Sequence, residues 1–197
     1  MPITGLRPII FCLALLALTA CSTRQVQDSL SGATAQQLLT HSIDDLVRAL
    51  PAADFTPYSG KRAFITSHFP QYAAVKQYAD ERLGVELARR YDIEVVDAAE
   101  DADIKLQVFY TALGTDQDQK GFYIPIGFMP GVDESTQVNL VTLQQFHGVA
   151  EMYYFIGPTG TERRGAILQS RTRTDALGLP IITIPISSID RAGEGGD

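Results

Sequence analysis

The chain predicts an α+β fold, a mixed and largely antiparallel sheet packed by two amphipathic helices. Three observations carry this expectation: two segments repeat apolar residues at helical spacing, most of the remainder alternates or runs apolar in short stretches, and the order is helix, strand, helix, strand, then a run of strands. Thr34 and Gln37 stand in the pattern of a capping box, and Ala35, Leu38, Leu39, Ile43, Leu46, Val47 and Leu50 follow at three- and four-residue steps until Pro51. KRAFITS (61–67) reads as a short buried strand. A second helix is expected over 73–91, where Val75, Ala79, Leu83, Leu87 and Tyr91 fall four apart and Arg89 and Arg90 sit near the negative C-terminal end.

Beyond it IEVVD (93–97) is a strand, AEDAD (99–103) a solvated acidic turn, and IKLQVFYTAL (104–113) a longer strand. Ile104, Leu106, Val108 and Tyr110 share one face of that strand and Lys105, Gln107 and Thr111 the other, so this part of the sheet is buried on one side. VNLVTL (138–143), VAEMYYFI (149–156) and GAILQSRTRT (165–174) continue the strand pattern, with a bend at His147-Gly148 and a hairpin turn at Gly157, Pro158 and Gly160. ITIPIS (182–187) adds a last strand that its proline confines to an edge.

The N-terminus places the chain in a cell. Arg7 supplies a positive first region, IIFCLALLAL (9–18) is an apolar stretch of signal-peptide length, and Leu18, Thr19, Ala20 and Cys21 match the bacterial lipobox. This run is about half of the roughly 20 apolar residues that span a bilayer. The segment resembles a lipoprotein precursor, and the resemblance implies acylation of Cys21 and cleavage before it. Ser22 behind the cysteine implies the outer membrane of a Gram-negative bacterium, facing the periplasm. Cleavage removes Arg7, so the net charge of -7 becomes -8 over 177 residues, and with Cys12 lost and Cys21 acylated no thiol is left to oxidise. The expected organisation is a signal peptide over 1–20, the lipidated cysteine and a flexible tether over 21–34, a single periplasmic domain over 35–190 and a disordered tail over 191–197. An acidic chain disfavours nucleic acid as a partner.

The succession of a helix, a strand opening GKRAFIT, a helix ending LARRYDIEVVD and the turn and strand AEDADIKLQV resembles a group of bacterial lipoprotein domains. The group comprises the curli secretion channel, flagellar outer-membrane lipoproteins and activators of peptidoglycan synthases, with a fold related to the TolB N-terminal domain. The resemblance spans about 38–174 and implies an envelope accessory protein; a separate lipoprotein family is the alternative. The chain shows no long alternating segments like those that build the barrel of the curli channel.

The residues that could carry chemistry form no coherent set. His41, His68 and His147 are far apart in sequence, and none has a second ligand at metal spacing. Ser67 stands directly before His68, but neighbours in a strand point opposite ways and no nucleophile elbow surrounds them. In GTDQDQKG, Asp116, Asp118 and Gly121 match positions of a calcium loop, yet Lys120 and Gly127 stand where ligands are required, and a polar hairpin tip is the better reading. No catalytic residue, metal site or cofactor is therefore expected.

Two features point instead to partners. Arg163, Arg164, Arg171 and Arg173 concentrate positive charge on one hairpin of an acidic protein, with Arg171 and Arg173 on one strand face; they read either as a solvated face or as a site for an acidic protein, phosphate or glycan carboxylate. GFYIPIGFMPG (121–131) is uncharged, and Pro125 and Pro130 bar it from a regular membrane-spanning strand. It reads either as a loop with Tyr123, Ile124 and Ile126 covering core, or as an exposed docking patch led by Phe122, Phe128 and Met129 with Tyr123 beside them. The expected function is a non-enzymatic assembly or accessory factor of a cell-envelope complex, anchored by lipid and acting through an envelope protein or self-association. The alternative is a periplasmic domain that binds or hydrolyses a glycan or small molecule.

Overall fold

Apolar residues at helical steps form the two long helices where expected, in a computed structural model that describes residues 22–26, 32–70, 73–126, 128–131, 137–180 and 182–186. The helices are α1 (Ala33–Arg48), the single turn α2 (Ala52–Phe55) and α3 (Ala73–Tyr91). The strands are β1 (Ser22–Val26), β2 (Arg62–His68), β3 (Glu94–Val96), β4 (Ile104–Pro125), β5 (Gln137–Gly157), β6 (Arg163–Gly178) and β7 (Thr183–Pro185). The fold is α+β, with hydrogen-bonded neighbours in the order β3-β2-β4-β5-β6-β7 and β1 on β4. β2 runs parallel to β3 and β4, while β1 on β4 and β7 on β6 are antiparallel. β4 and β5 are antiparallel too, since Phe109 meets Tyr153 while Thr111 meets Glu151, two steps on along one strand and two back along the other.

Several elements differ from expectation. α1 starts at Ala33 with Gly32 as its N-cap and no side-chain cap, so Thr34 lies inside the first turn. GTDQDQK is no hairpin tip: it lies within β4, where β1 pairs with Gln117 to Gly121. Composition suggested a turn because Asp, Gln and Gly are poor strand formers, but ladder hydrogen bonds come from the backbone and do not require apolar side chains. The same reason turns Ser22 to Val26 from the expected tether into β1. The expected bend at His147-Gly148 is absent, and β5 runs unbroken past it. Strands of 22 and 21 residues result, longer than expected, but Leu140 and Val141 are successive and both exposed, so strict alternation is not kept. Cys21, the segment 1–20 and the tail 191–197 lie outside the described residues.

The chain divides into two compact units: one of Ser29–Asp116 with His147–Arg173, called here the helical unit, and one of Met1–Asp28, Gln117–Phe146 and Thr174–Asp197, called the strand unit. In the helical unit Leu46, Val47, Leu83 and Leu87 from the helices meet Leu106, Val108, Met152 and Ile156 from the sheet in one buried cluster. Ser42 and Thr172 both donate to the Leu38 carbonyl, at 2.7 and 2.8 Å, joining α1 to β6. Arg82 on α3 pairs with Asp44 on α1 at 2.6 Å, and Tyr91 at the end of α3 donates to the Leu50 carbonyl at 2.7 Å. The strand unit has the opposite character. Its buried side chains include Gln119, Thr142, Gln145 and Thr174, while Phe122, Ile124, Phe128 and Met129 are exposed.

Candidate functional site

In the helical unit the core side chains Leu106, Val108, Met152 and Ile156 all project from one face of the sheet. Period two then sends the intervening residues of β4 and β5 to the helix-free face. There His68, Phe109 and Tyr153, on the neighbouring strands β2, β4 and β5, form a stack with ring centroids 4.8 and 5.0 Å apart and planes within 20° and 9° of parallel. Phe155 meets Phe109 and Tyr153 edge-on at 6.1 Å. The Arg164 guanidinium lies over the Tyr153 ring, 5.4 Å from its centroid. Such pairs are favourable beyond the area they bury, but here the ladder is only half-buried, so part of its apolar surface faces solvent.

On β6 the exposed positions alternate with half-buried ones. Thr172 points to α1, so Ile167, Gln169, Arg171 and Arg173 occupy the helix-free face. Arg171 and Arg173 are thereby brought to the same face as the aromatic ladder, Arg164 joins it with its guanidinium over the Tyr153 ring, and Arg163 is exposed at the start of β6. Arg173 already has a noncovalent partner within the protein. Phe109, Tyr153 and Phe155 escaped sequence reasoning. The usable signal was Phe109 interrupting an otherwise polar strand face, and an aromatic at i and i+2 in YYF.

A polar cluster lies at the C-terminal end of β2. Asp80 on α3 accepts from Ser67 Oγ at 2.6 Å, Lys76 Nζ at 2.8 Å and Tyr110 Oη at 3.1 Å. Burial, and then the Asp80 charge, push the Tyr110 phenol far above its ordinary range. Ser67 and His68 project to opposite faces, as expected of strand neighbours; Ser67 turns to Asp80 and His68 to Phe109 and Gln107. A depression of about 480 Å³ adjoins this end, lined by residues that include Ser67, His68, Phe69, Lys76, Phe109 and Thr111. A second, of about 560 Å³, lies between α3 and the edge strand β3, with Gly60, Arg62, Val85, Asp92 and Val95 among its walls. Among the described residues no three His, Cys, Asp or Glu side chains stand together as metal ligands. Asp103 of the acidic turn accepts from the Arg62 backbone N–H at 2.9 Å, which holds its carboxyl below the usual range.

In the strand unit, the expectation that 121–131 covers core is overturned for Ile124, which is exposed together with Phe122, Met129 and Phe128, the last at 80%. The chain leaves β4 near Pro125 and turns, with Met129 N–H bonded to the Ile126 carbonyl. The side chain of Tyr123 is outside the described residues.

Fold and site together define an α+β protein with one helix-free sheet face bearing aromatic rings and arginines, and with an exposed apolar segment. No protein-family model matches the chain, and comparison with curated proteins finds none similar to it.

Proposed function

We propose that this protein is an outer-membrane lipoprotein, anchored through acylated Cys21, that serves as a non-enzymatic assembly or accessory factor of a cell-envelope complex. It meets a protein partner through the helix-free face of the helical unit. The observation that carries this reading is the ladder His68–Phe109–Tyr153 with Phe155 beside it, capped by Arg164, with Arg171 exposed on the same sheet face. Half-exposed aromatic rings next to arginine are the side chains that dominate protein interfaces, because they bury large area at little entropic cost and pair with carboxylates. In an acidic protein this local positive charge fits an acidic partner surface.

The test is crosslinking of the full-length protein in cells followed by mass spectrometry, beside the variant Arg164→Glu/Arg171→Glu. Both side chains are exposed, so the variant is expected to fold with an unchanged melting temperature and to lose the crosslinked partner. Recovery of monomer alone from the unmodified protein, or an unchanged partner with the variant, removes this reading.

The depression beside Ser67, Lys76 and Phe109 favours one second reading, a glycan- or small-molecule-binding domain. It predicts chemical-shift changes confined to those residues on titration with peptidoglycan fragments. A protein-docking face predicts none.

A further inference from the structure

The strand unit has an inverted polarity that the partner-docking reading leaves unused. Polar Gln119, Thr142, Gln145 and Thr174 are buried, while Phe122, Ile124, Phe128, Met129, Leu140 and Val141 are exposed. Single exposed apolar residues are ordinary, but a contiguous set marks a surface that is covered in use. The exposed residues of β4 and β5 lie on adjacent strands, which approach so closely that a Cβ on Gly121 would overlap the Val141 carbonyl. No charged residue stands between Lys120 and Asp133.

The register of β1 says what covers it. Ser22, the first residue of β1, is paired with Gly121. Paired strand residues are about 5 Å apart at Cα, so Ser22, the residue that follows the lipid attachment point in the sequence, is held against Gly121. The strand that begins directly after the lipid attachment point and the apolar segment are therefore neighbours, 99 residues apart in sequence and joined by one strand pairing. We infer that this apolar tip, led by Phe122, Ile124, Phe128 and Met129, dips into the membrane interface beside the acyl chains of Cys21. The occupant is the lipid leaflet to which the anchor belongs.

The depth is interfacial. Pro125 and Pro130 interrupt strand hydrogen bonding, and unpaired backbone is not tolerated in the hydrocarbon core, whereas aromatic and apolar side chains at the headgroup boundary are favourable. Exposed Lys120, at the base of the segment, is placed to meet lipid phosphate. The effect of the contact is orientation: acyl chains alone let the protein swivel, while a second contact close to the first holds the strand unit against the leaflet.

This inference rests on the acylation of Cys21 proposed above, and the two are separable by experiment. The chain has no tryptophan, so Phe128→Trp creates a sole reporter in the acylated protein. Reconstituted in phosphatidylethanolamine–phosphatidylglycerol vesicles with brominated acyl chains, Phe128→Trp is expected to shift its emission to shorter wavelength and lose most of its intensity. Val85→Trp, at an exposed position of α3, is expected to do neither. Equal emission from brominated and ordinary vesicles overturns the inference, and so does equal quenching at both positions. A blue shift of Phe128→Trp in detergent-free solution without vesicles, growing with protein concentration, assigns the tip to a second copy of the chain and also overturns it. Palmitate labelling in cells reads the anchor separately. Label with no quenching leaves the anchor and removes the tip contact; quenching without label leaves the tip contact and removes the anchor.

Discussion

Asp80 concentrates three donors on one carboxylate, and the energetics of such a group are asymmetric. Each hydrogen bond contributes modestly while intact, but a buried donor left without its acceptor costs about 1–3 kcal/mol. Tyr110 is 3% exposed and its hydroxyl has Asp80 as its acceptor. Asp80→Asn keeps the shape but removes the charge and half of the acceptor capacity. It is expected to lower stability by about 1–3 kcal/mol, read as a shift of the urea midpoint at neutral pH. The same change made in a Tyr110→Phe background costs less, because the stranded hydroxyl is gone; equal costs in the two backgrounds remove the coupling. Nothing local in the sequence marks Asp80, which follows Lys76 by one helical turn and precedes Glu81 and Arg82 in an ordinary charged stretch of helix. Its role comes from where α3 is laid against β2 and β4.

At the scale of elements, the seating of α1 on the sheet depends on one missing side chain. A Cβ on Gly148 would overlap the Leu38 carbonyl, and that carbonyl is held in place by Ser42 and Thr172. Gly148→Ala must therefore displace α1 or bend β5, at an expected cost of about 1–3 kcal/mol from overpacking. Gly114→Ala is the control, since no heavy atom lies within 4 Å of its Cβ position. If the two substitutions shift the thermal midpoint equally, close packing of α1 at Gly148 is not what the glycine provides. The sequence shows Gly148 as a break in a strand pattern, and a bend was the natural expectation. A glycine that ends a strand and one that admits a helix look the same until the helix is placed.

Over the whole molecule, protonation links folding to pH through buried phenols. Burial, and then the Asp80 charge and hydrogen bond, raise the Tyr110 phenol above its ordinary value; burial, and then the hydrogen bond to Asp54, do the same for Tyr154. In the unfolded chain tyrosines titrate near pH 10, so the folded state holds these protons where the unfolded state releases them. Their contribution is complete below about pH 10 and falls as pH rises further, by about 1.4 kcal/mol per pH unit for each tyrosine. Urea midpoints measured across the alkaline range should decline, and Tyr110→Phe should decline less steeply than the unmodified protein. Identical slopes would show that Tyr110 ionises as readily folded as unfolded.

Local periodicity determined the two long helices and the half-buried face of β4, because side chains three, four or two residues apart share a face whatever the rest of the chain does, while glycine and proline marked the turn between β5 and β6 and the edge position of β7. It determined the α+β class for the same reason. Only the tertiary structure decided that β1 pairs with β4, that His68, Phe109 and Tyr153 stack across three strands, and that Phe122, Phe128 and Met129 are left exposed. Each of these is a relation between residues dozens of positions apart, which no local pattern encodes. The uncharged segment 121–131 was visible from the start as an anomaly, but its meaning depends on a pairing between Ser22 and Gly121 that exists only once the sheet has formed.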